Sequence, residues 1–175
     1  MAVTTSVFDL ASLGLTSGEG RRLDLAVEIG SQRYMGGSYR VEPTPVPLQL
    51  DISCMSGGGY ALALRFEAQL IGNCMRCLEE AKQSVSVEAR EVEQARKGAE
   101  LETPYVRDEI VELATWARDA LMLSLSGQIL CKPDCAGLCP ECGVNLNKAG
   151  EEHSHEAPID PRWAKLSELK QELED

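Results

Sequence analysis

At 175 residues the chain is long enough for one ordinary domain, or a domain with a small appendage, to bury its own core without help from metal. Hydrophobic residues make up 43% but aromatic residues only 5%, so that core must be built mainly from Leu, Val, Ile and Ala. A formal net charge of −11 excludes nucleic-acid binding driven by the field of the whole surface, while leaving room for a local basic patch and suiting a basic protein partner.

In chain order, residues 1–15 lack the basic start and apolar block of a secretory signal, and no stretch reaches the roughly 18 apolar residues of a membrane span. The first ninety or so residues then alternate with period two, as half-buried strands do. Leu23, Leu25, Val27 and Ile29 share one face, and Val46, Leu48, Leu50, Ile52 and Cys54 share another, which makes Cys54 a small core residue. Pro43, Pro45 and Pro47 place the strand around Val46 at an edge, because proline cannot donate to a ladder.

The Ser56-Gly57-Gly58-Gly59 run predicts a turn, followed by a long strand with Leu62, Leu64, Phe66, Ala68 and Leu70 inward. Val85, Val87 and Ala89 resume the alternation beyond Cys74 and Cys77, so this first cysteine pair caps a strand-to-strand turn. Residues 94–107 read as a loop rich in charge and small residues. Asp108 then suits the cap of a helix with the stripe Ile110, Leu113, Ala114, Ala117 and Leu121, running to about Leu125. A terminal helix is expected from Asp160-Pro161, carrying Trp163, Leu166, Leu169 or Lys170, and Leu173.

The expected fold class is therefore α+β: a curled antiparallel sheet or half-barrel covered by a few helices, with a C-terminal zinc-binding knuckle segment. We expect residues 1–130 to form the sheet domain with one long helix. Residues 131–175 form the cysteine-rich segment and terminal helix, packed on the same domain.

Seven cysteines, an odd number in CxxC-type spacing on a chain without an export signal, favour reduced thiolates that hold metal in a cytoplasmic protein. Three pairs are available: Cys74 with Cys77, Cys131 with Cys135, and Cys139 with Cys142. Zinc takes four soft or borderline ligands in a tetrahedron, and the Cys-Pro-x-Cys-Gly form at 139–143 presets the tight bend of a knuckle.

Two partitions are open. Either Cys74, Cys77, Cys131 and Cys135 share one ion while Cys139 and Cys142 take a second with His153 and His155, or one ion takes Cys74, Cys77, Cys139 and Cys142. The two-ion arrangement is preferred because the other leaves two close thiols idle. Iron in an all-sulfur cage is compatible with the ligand types alone. Cysteine-only sets are closed and structural, and no nucleophile triad or phosphate loop is discernible, so a catalytic role is not expected.

With the cysteines in view, Cys74-Met-Arg-Cys77-Leu-Glu, then Cys131, Cys135 and Cys139-Pro-Glu-Cys142-Gly-Val-Asn145-Leu-Asn147, then Asp160-Pro-Arg-Trp163, resembles the YceD-like large ribosomal RNA subunit accumulation proteins. The resemblance implies a bacterial or plastid-type factor needed for accumulation, processing or stability of 23S-type ribosomal RNA, without known catalytic activity. Its implied partners are a large-subunit precursor, its RNA or a basic ribosomal protein, with no membrane and no small-molecule substrate. Family members commonly carry Cys-x-Cys where this chain has His153-Ser-His155, which implies a second site with mixed ligands. Shorter relatives lack the Cys139 to Cys142 element but keep the other ligand positions, which implies the first partition.

A cationic and polar rim of Arg76, Lys82, Lys132, Asn145, Asn147 and Lys148 is the expected contact surface for RNA or partner. The competing functions are a zinc-stabilised protein-interaction adaptor unrelated to ribosomes, and a redox or metal-handling protein.

Overall fold

The computed structural model describes residues 3–94, 102–125, 127–150 and 153–155. The chain divides into two compact units, Met1–Cys135 and Ala136–Asp175. Among the described residues the fold is mostly sheet with one α-helix.

The sheet of the first unit is built around β7 (Tyr60–Asn73). One edge of β7 pairs along its whole length with β8 (Glu80–Glu93), from Tyr60 opposite Glu93 to Asn73 opposite Glu80. The other edge is shared in sequence by two strands, β6 (Val46–Cys54) over the first half and β5 (Gly37–Glu42) over the second. Outside β6 lie β3 (Gly20–Val27), antiparallel, and then β1 (Val3–Thr4), parallel to β3. Outside β5 lies β4 (Gln32–Tyr34). No pairing among the described residues closes this sheet into a barrel.

Period-two alternation put the core where it is found. Leu62, Leu64, Phe66, Ala68 and Leu70 of β7 and Val46, Leu48, Leu50 and Ile52 of β6 are all buried. Cys54, expected in the core, is half-buried at the end of β6 and stays apart from the other cysteines. The β6 strand is interior rather than an edge, since β3 and β7 flank it. However, Val46 and Pro47 pair with β3 alone and β7 joins only from Leu48, so the proline sits where one side of the strand is still unpaired.

The region between β8 and the helix departs from expectation. Residues 95–101 lie outside the described residues. Val106–Arg107 (β9) and Ile110–Val111 (β10) then form a small hairpin, and β10 also pairs with β2 (Phe8–Asp9). Its two-residue turn is Asp108-Glu109, both left-handed at φ 48° and 62°, the conformation that matches strand twist in tight hairpins. Asp108 is thus a turn residue and not a helix cap.

The helix α1 spans Leu113–Leu123 and begins after Glu112. Ile110, assigned to its stripe, is 42% exposed on β10. The buried stripe is Leu113, Trp116, Ala117, Ala120 and Leu121, and the Trp116 ring stacks on Tyr105 at 6.1 Å. The expected terminal helix from Asp160 lies outside the described residues. In place of a few helices, the described residues hold one α-helix and a short 3-10 turn at Ala11–Leu13. No helix among them is long and apolar enough to cross a membrane.

Candidate metal centres

Two local turns deliver the paired cysteines, and they have the same backbone pattern. In the first, between β7 and β8, the Leu78 N–H donates to Cys74 O at 3.0 Å and the Cys74 N–H donates to Glu79 O at 2.7 Å. In the second, the Gly143 N–H donates to Cys139 O and the Cys139 N–H donates to Val144 O, both at 2.8 Å. Each turn needs a left-handed residue directly after its second cysteine. Gly143 fills that position at φ 72°, the role for which glycine is suited. In the first turn Leu78 fills it at φ 63°, a conformation that costs an L-residue about 1–2 kcal/mol.

What brings Cys131 and Cys135 to the first turn is a short docked segment. The Met75 N–H donates to Ile129 O at 3.0 Å, and the Ile129 N–H returns to the Met75 sulfur at 3.4 Å. Ile129 is 2% exposed, and the Tyr34 hydroxyl donates to Gly127 O. Arg76 ties down both ends of the segment, through Nε to Gln128 Oε1 at 3.1 Å and Nη1 to Cys135 O at 3.2 Å.

The result in the first unit is a cluster of Cys74, Cys77, Cys131 and Cys135, whose sulfurs all lie within 4.8 Å of one another. In the second unit Cys139, Cys142, His153 and His155 form another group of the same tightness. These are the groupings of the two-ion partition.

The donor sets fit a tetrahedral ion. With zinc–sulfur bonds of about 2.3 Å, the edge of a regular sulfur tetrahedron is about 3.8 Å. The Cys74–Cys135 and Cys77–Cys131 sulfurs are 3.8 Å and 3.5 Å apart. Both are far beyond the roughly 2.05 Å of a disulfide. For mixed ligands the same geometry gives edges of about 3.6 Å between sulfur and nitrogen and about 3.3 Å between two nitrogens. Cys142 Sγ is 3.6 Å from His153 Nε2, and the Nε2 atoms of His153 and His155 are 3.2 Å apart.

The electrostatics favour one thiolate in the first cluster and resist a second. Burial opposes ionisation of Cys74, yet the backbone N–H groups at Cys77, Arg76 and Cys131 together outweigh it and bring the thiol down to about 6. Its neighbours move the other way. Cys131 is pushed up to about 12, chiefly by its thiol contact with Cys77. Cys77 is raised as well: the Glu79 N–H favours its thiolate, but burial and the adjacent Cys135 and Cys74 sulfurs prevail. Sulfurs this close cannot all carry charge unless a cation sits among them. In the second cluster, His153 and then the N–H groups of Cys142 and Glu141 bring Cys139 down to about 6.

The expected contact residues have neighbours within their own units. Beyond the Arg76 bonds, Lys82 lies 3.6 Å from Glu80 and Lys132 lies 3.9 Å from Asp134. Asn145 Oδ1 accepts from both the backbone and side-chain N–H groups of Asn147, and Asn147 Oδ1 accepts from the Ala136 N–H at 3.0 Å. The Lys148 N–H donates to Asn145 O. Glu141, passed over in the sequence, approaches His155 Nδ1 at 3.3 Å. Its place between two ligand cysteines was the only signal that could have marked it. An open groove of about 720 Å³ on the sheet, lined by Glu42, Pro43, Pro47, Glu67 and Ser86 among others, shares no residue with either cluster.

Comparison with known proteins bears on this arrangement. A family model described as large ribosomal RNA subunit accumulation protein YceD matches residues 62–170, a span that takes in every residue of both clusters. Uncharacterized proteins of Mycobacterium tuberculosis and Mycobacterium bovis are 42% identical over 130 residues, covering 70% of this chain and 61% of theirs. An uncharacterized protein of Mycobacterium leprae is 29% identical over 174 residues, covering 95% of this chain and 78% of its own. The chain thus spans 61% of the length of the first two relatives. No solved structure matches it.

Proposed function

The chain belongs to the YceD family of large ribosomal RNA subunit accumulation proteins, and from that premise we propose that it is a non-catalytic factor for large-subunit ribosomal RNA, rigidified by two structural zinc ions. The family match over residues 62–170 is the observation that carries the ribosomal reading. The zinc reading is supported by donor sets whose spacing suits a tetrahedral ion.

Cys74, Cys77, Cys131 and Cys135 would hold one ion, and Cys139, Cys142, His153 and His155 the other. Zinc supplies charge neutralisation and cross-linking at such sites and no redox chemistry. The first ion would join the β7–β8 turn to the segment after α1 and stiffen that end of the sheet, whose curl we read as a half-barrel. Around that end Arg76, Lys82 and Lys132 offer cationic groups. In the C-terminal segment, residues 131–175 of the proposed division, Asn145, Asn147 and Lys148 frame the knuckle. These are the groups proposed to meet ribosomal RNA, while the acidic remainder of a chain of net charge −11 suits a basic ribosomal protein. The proposed setting is the cytoplasm.

The test is sedimentation of the tagged chain through a gradient, with ribosomal RNA quantified after its depletion. Co-migration with large-subunit precursors and a selective fall in 23S-type RNA are expected. Migration wholly in the light fractions with unchanged RNA ratios overturns the ribosomal reading and leaves an adaptor of another kind.

A further inference from the structure

We infer that Glu141 is a positioning residue for the mixed-ligand site: its carboxylate holds the His155 ring so that Nε2, and not Nδ1, is presented to the metal. The inference rests on the two-zinc reading and concerns how this chain completes its second site with imidazoles.

An imidazole has two nitrogens, and only the one without a proton can bind metal. In an isolated His-x-His segment nothing selects between them, and the ring turns freely about its side-chain bonds. Here the choice is made by geometry. Nε2 of His155 faces Nε2 of His153 at 3.2 Å, and that atom in turn faces Cys142 Sγ at 3.6 Å. The opposite nitrogen, Nδ1, faces Glu141 Oε2 at 3.3 Å. The two rings meet edge to face at 85°, with centroids 4.7 Å apart, so each needs its own orientation to bring Nε2 inward.

A carboxylate accepting from Nδ1–H fixes the tautomer and the ring plane together, and it makes Nε2 a better donor. The spacing of the knuckle makes this possible. Glu141 lies between Cys139 and Cys142, its N–H favours the Cys139 thiolate, and its side chain reaches His155 from the same turn. The Glu141 and His155 side chains are 50% and 33% exposed, so the pair adds little to fold stability. Its effect falls on the metal. The all-cysteine cluster has no equivalent requirement, because a thiolate has a single donor atom.

The test uses the full chain and Zn2+ alone. Chelator competition measures affinity at each site in wild type, Glu141→Ala, Glu141→Gln and a charge-matched control, Glu67→Ala on the exposed face of β7. Long-range proton–nitrogen correlation on the zinc-loaded protein reports the His155 tautomer. We expect Glu141→Ala to weaken the second site by about 10–100-fold and to lose the single Nδ1–H form. Glu141→Gln, which keeps an acceptor oxygen, should retain the tautomer and lose less. Should wild type bind two zinc ions and Glu141→Ala match it within about threefold with His155 unchanged, the positioning role is wrong and the two-site reading stands. Equal losses in Glu141→Ala and Glu67→Ala point to bulk charge and also overturn it. A wild type that binds one ion removes the two-site reading and the inference with it.

Discussion

Gly72 lies two residues before Cys74, opposite Tyr39 in the β5–β7 pairing, and alanine at this position should be distinctly destabilising. A Cβ there would lie 2.5 Å from Tyr39 Cδ1 and 2.7 Å from the Ser38 carbonyl oxygen. Neither neighbour yields easily. Ser38 O belongs to strand backbone, and Tyr39 is 1% exposed with its hydroxyl donating to Asn73 O at 3.0 Å. Gly→Ala ordinarily stabilises by about 0.4–1 kcal/mol, by reducing the freedom of the unfolded chain. Overpacking costs about 1–3 kcal/mol, and if the ring is expelled instead, its burial and its hydrogen bond together amount to about 2–4 kcal/mol. The net expectation is a loss of about 1 kcal/mol, and at most about 2.6 kcal/mol, once the unfolded-chain gain is taken from the overpacking cost. Urea unfolding of the zinc-loaded protein measures it, and a cycle with Tyr39→Ala isolates the ring contribution. A Gly72→Ala variant within about 0.5 kcal/mol of wild type would refute the contact argument.

Further outcomes follow from the same structure. A Cys139→Ser, Cys142→Ser double variant should fall from two bound zinc ions to one by metal analysis, and a fall from one to none would mean a single shared ion. Leu78→Gly should leave the first site intact and raise stability by up to about 1 kcal/mol, while Gly143→Ala, at the equivalent position, should lower it by a similar amount; thermal melts give both signs. Trp116→Ala should cost about 3–5 kcal/mol in denaturant unfolding, because the ring is fully buried. Asp51 accepts from Arg22 at 2.6 Å and from Arg65 at 2.6 Å, and the Arg22 hydrogen bond chiefly holds its carboxyl below the usual range. A depressed folded pKa contributes stability above the unfolded value near 3.9 and loses it as pH falls through the folded value. Wild type should therefore exceed Asp51→Asn by about 1 kcal/mol at neutral pH, discounted for exposed arginines, with the gap closing in acid. Zinc loss in acid affects both proteins alike, so the difference in stability isolates the carboxylate.

The sequence alone determined the inward faces of β6 and β7 and the positions of the cysteine turns. Alternation over nine to fourteen residues is a strong local signal, and Cys139-Pro-Glu-Cys142-Gly143 carries its own bend. Tertiary structure decided which turns share a cluster. Both CxxC turns have the same local backbone pattern, so nothing local distinguishes their partners; the pairing of Met75 with Ile129 selects Cys131 and Cys135 for the first. It also overrode the helix start, because Ile110 fits a helical stripe by spacing while β2 offers Val111 and Ile110 a strand partner. Two-residue strands have no period to read. Leu78 and Glu141 were silent for a related reason: a left-handed leucine and a carboxylate behind a histidine owe their roles to the surrounding fold, and neither side chain advertises them in one dimension.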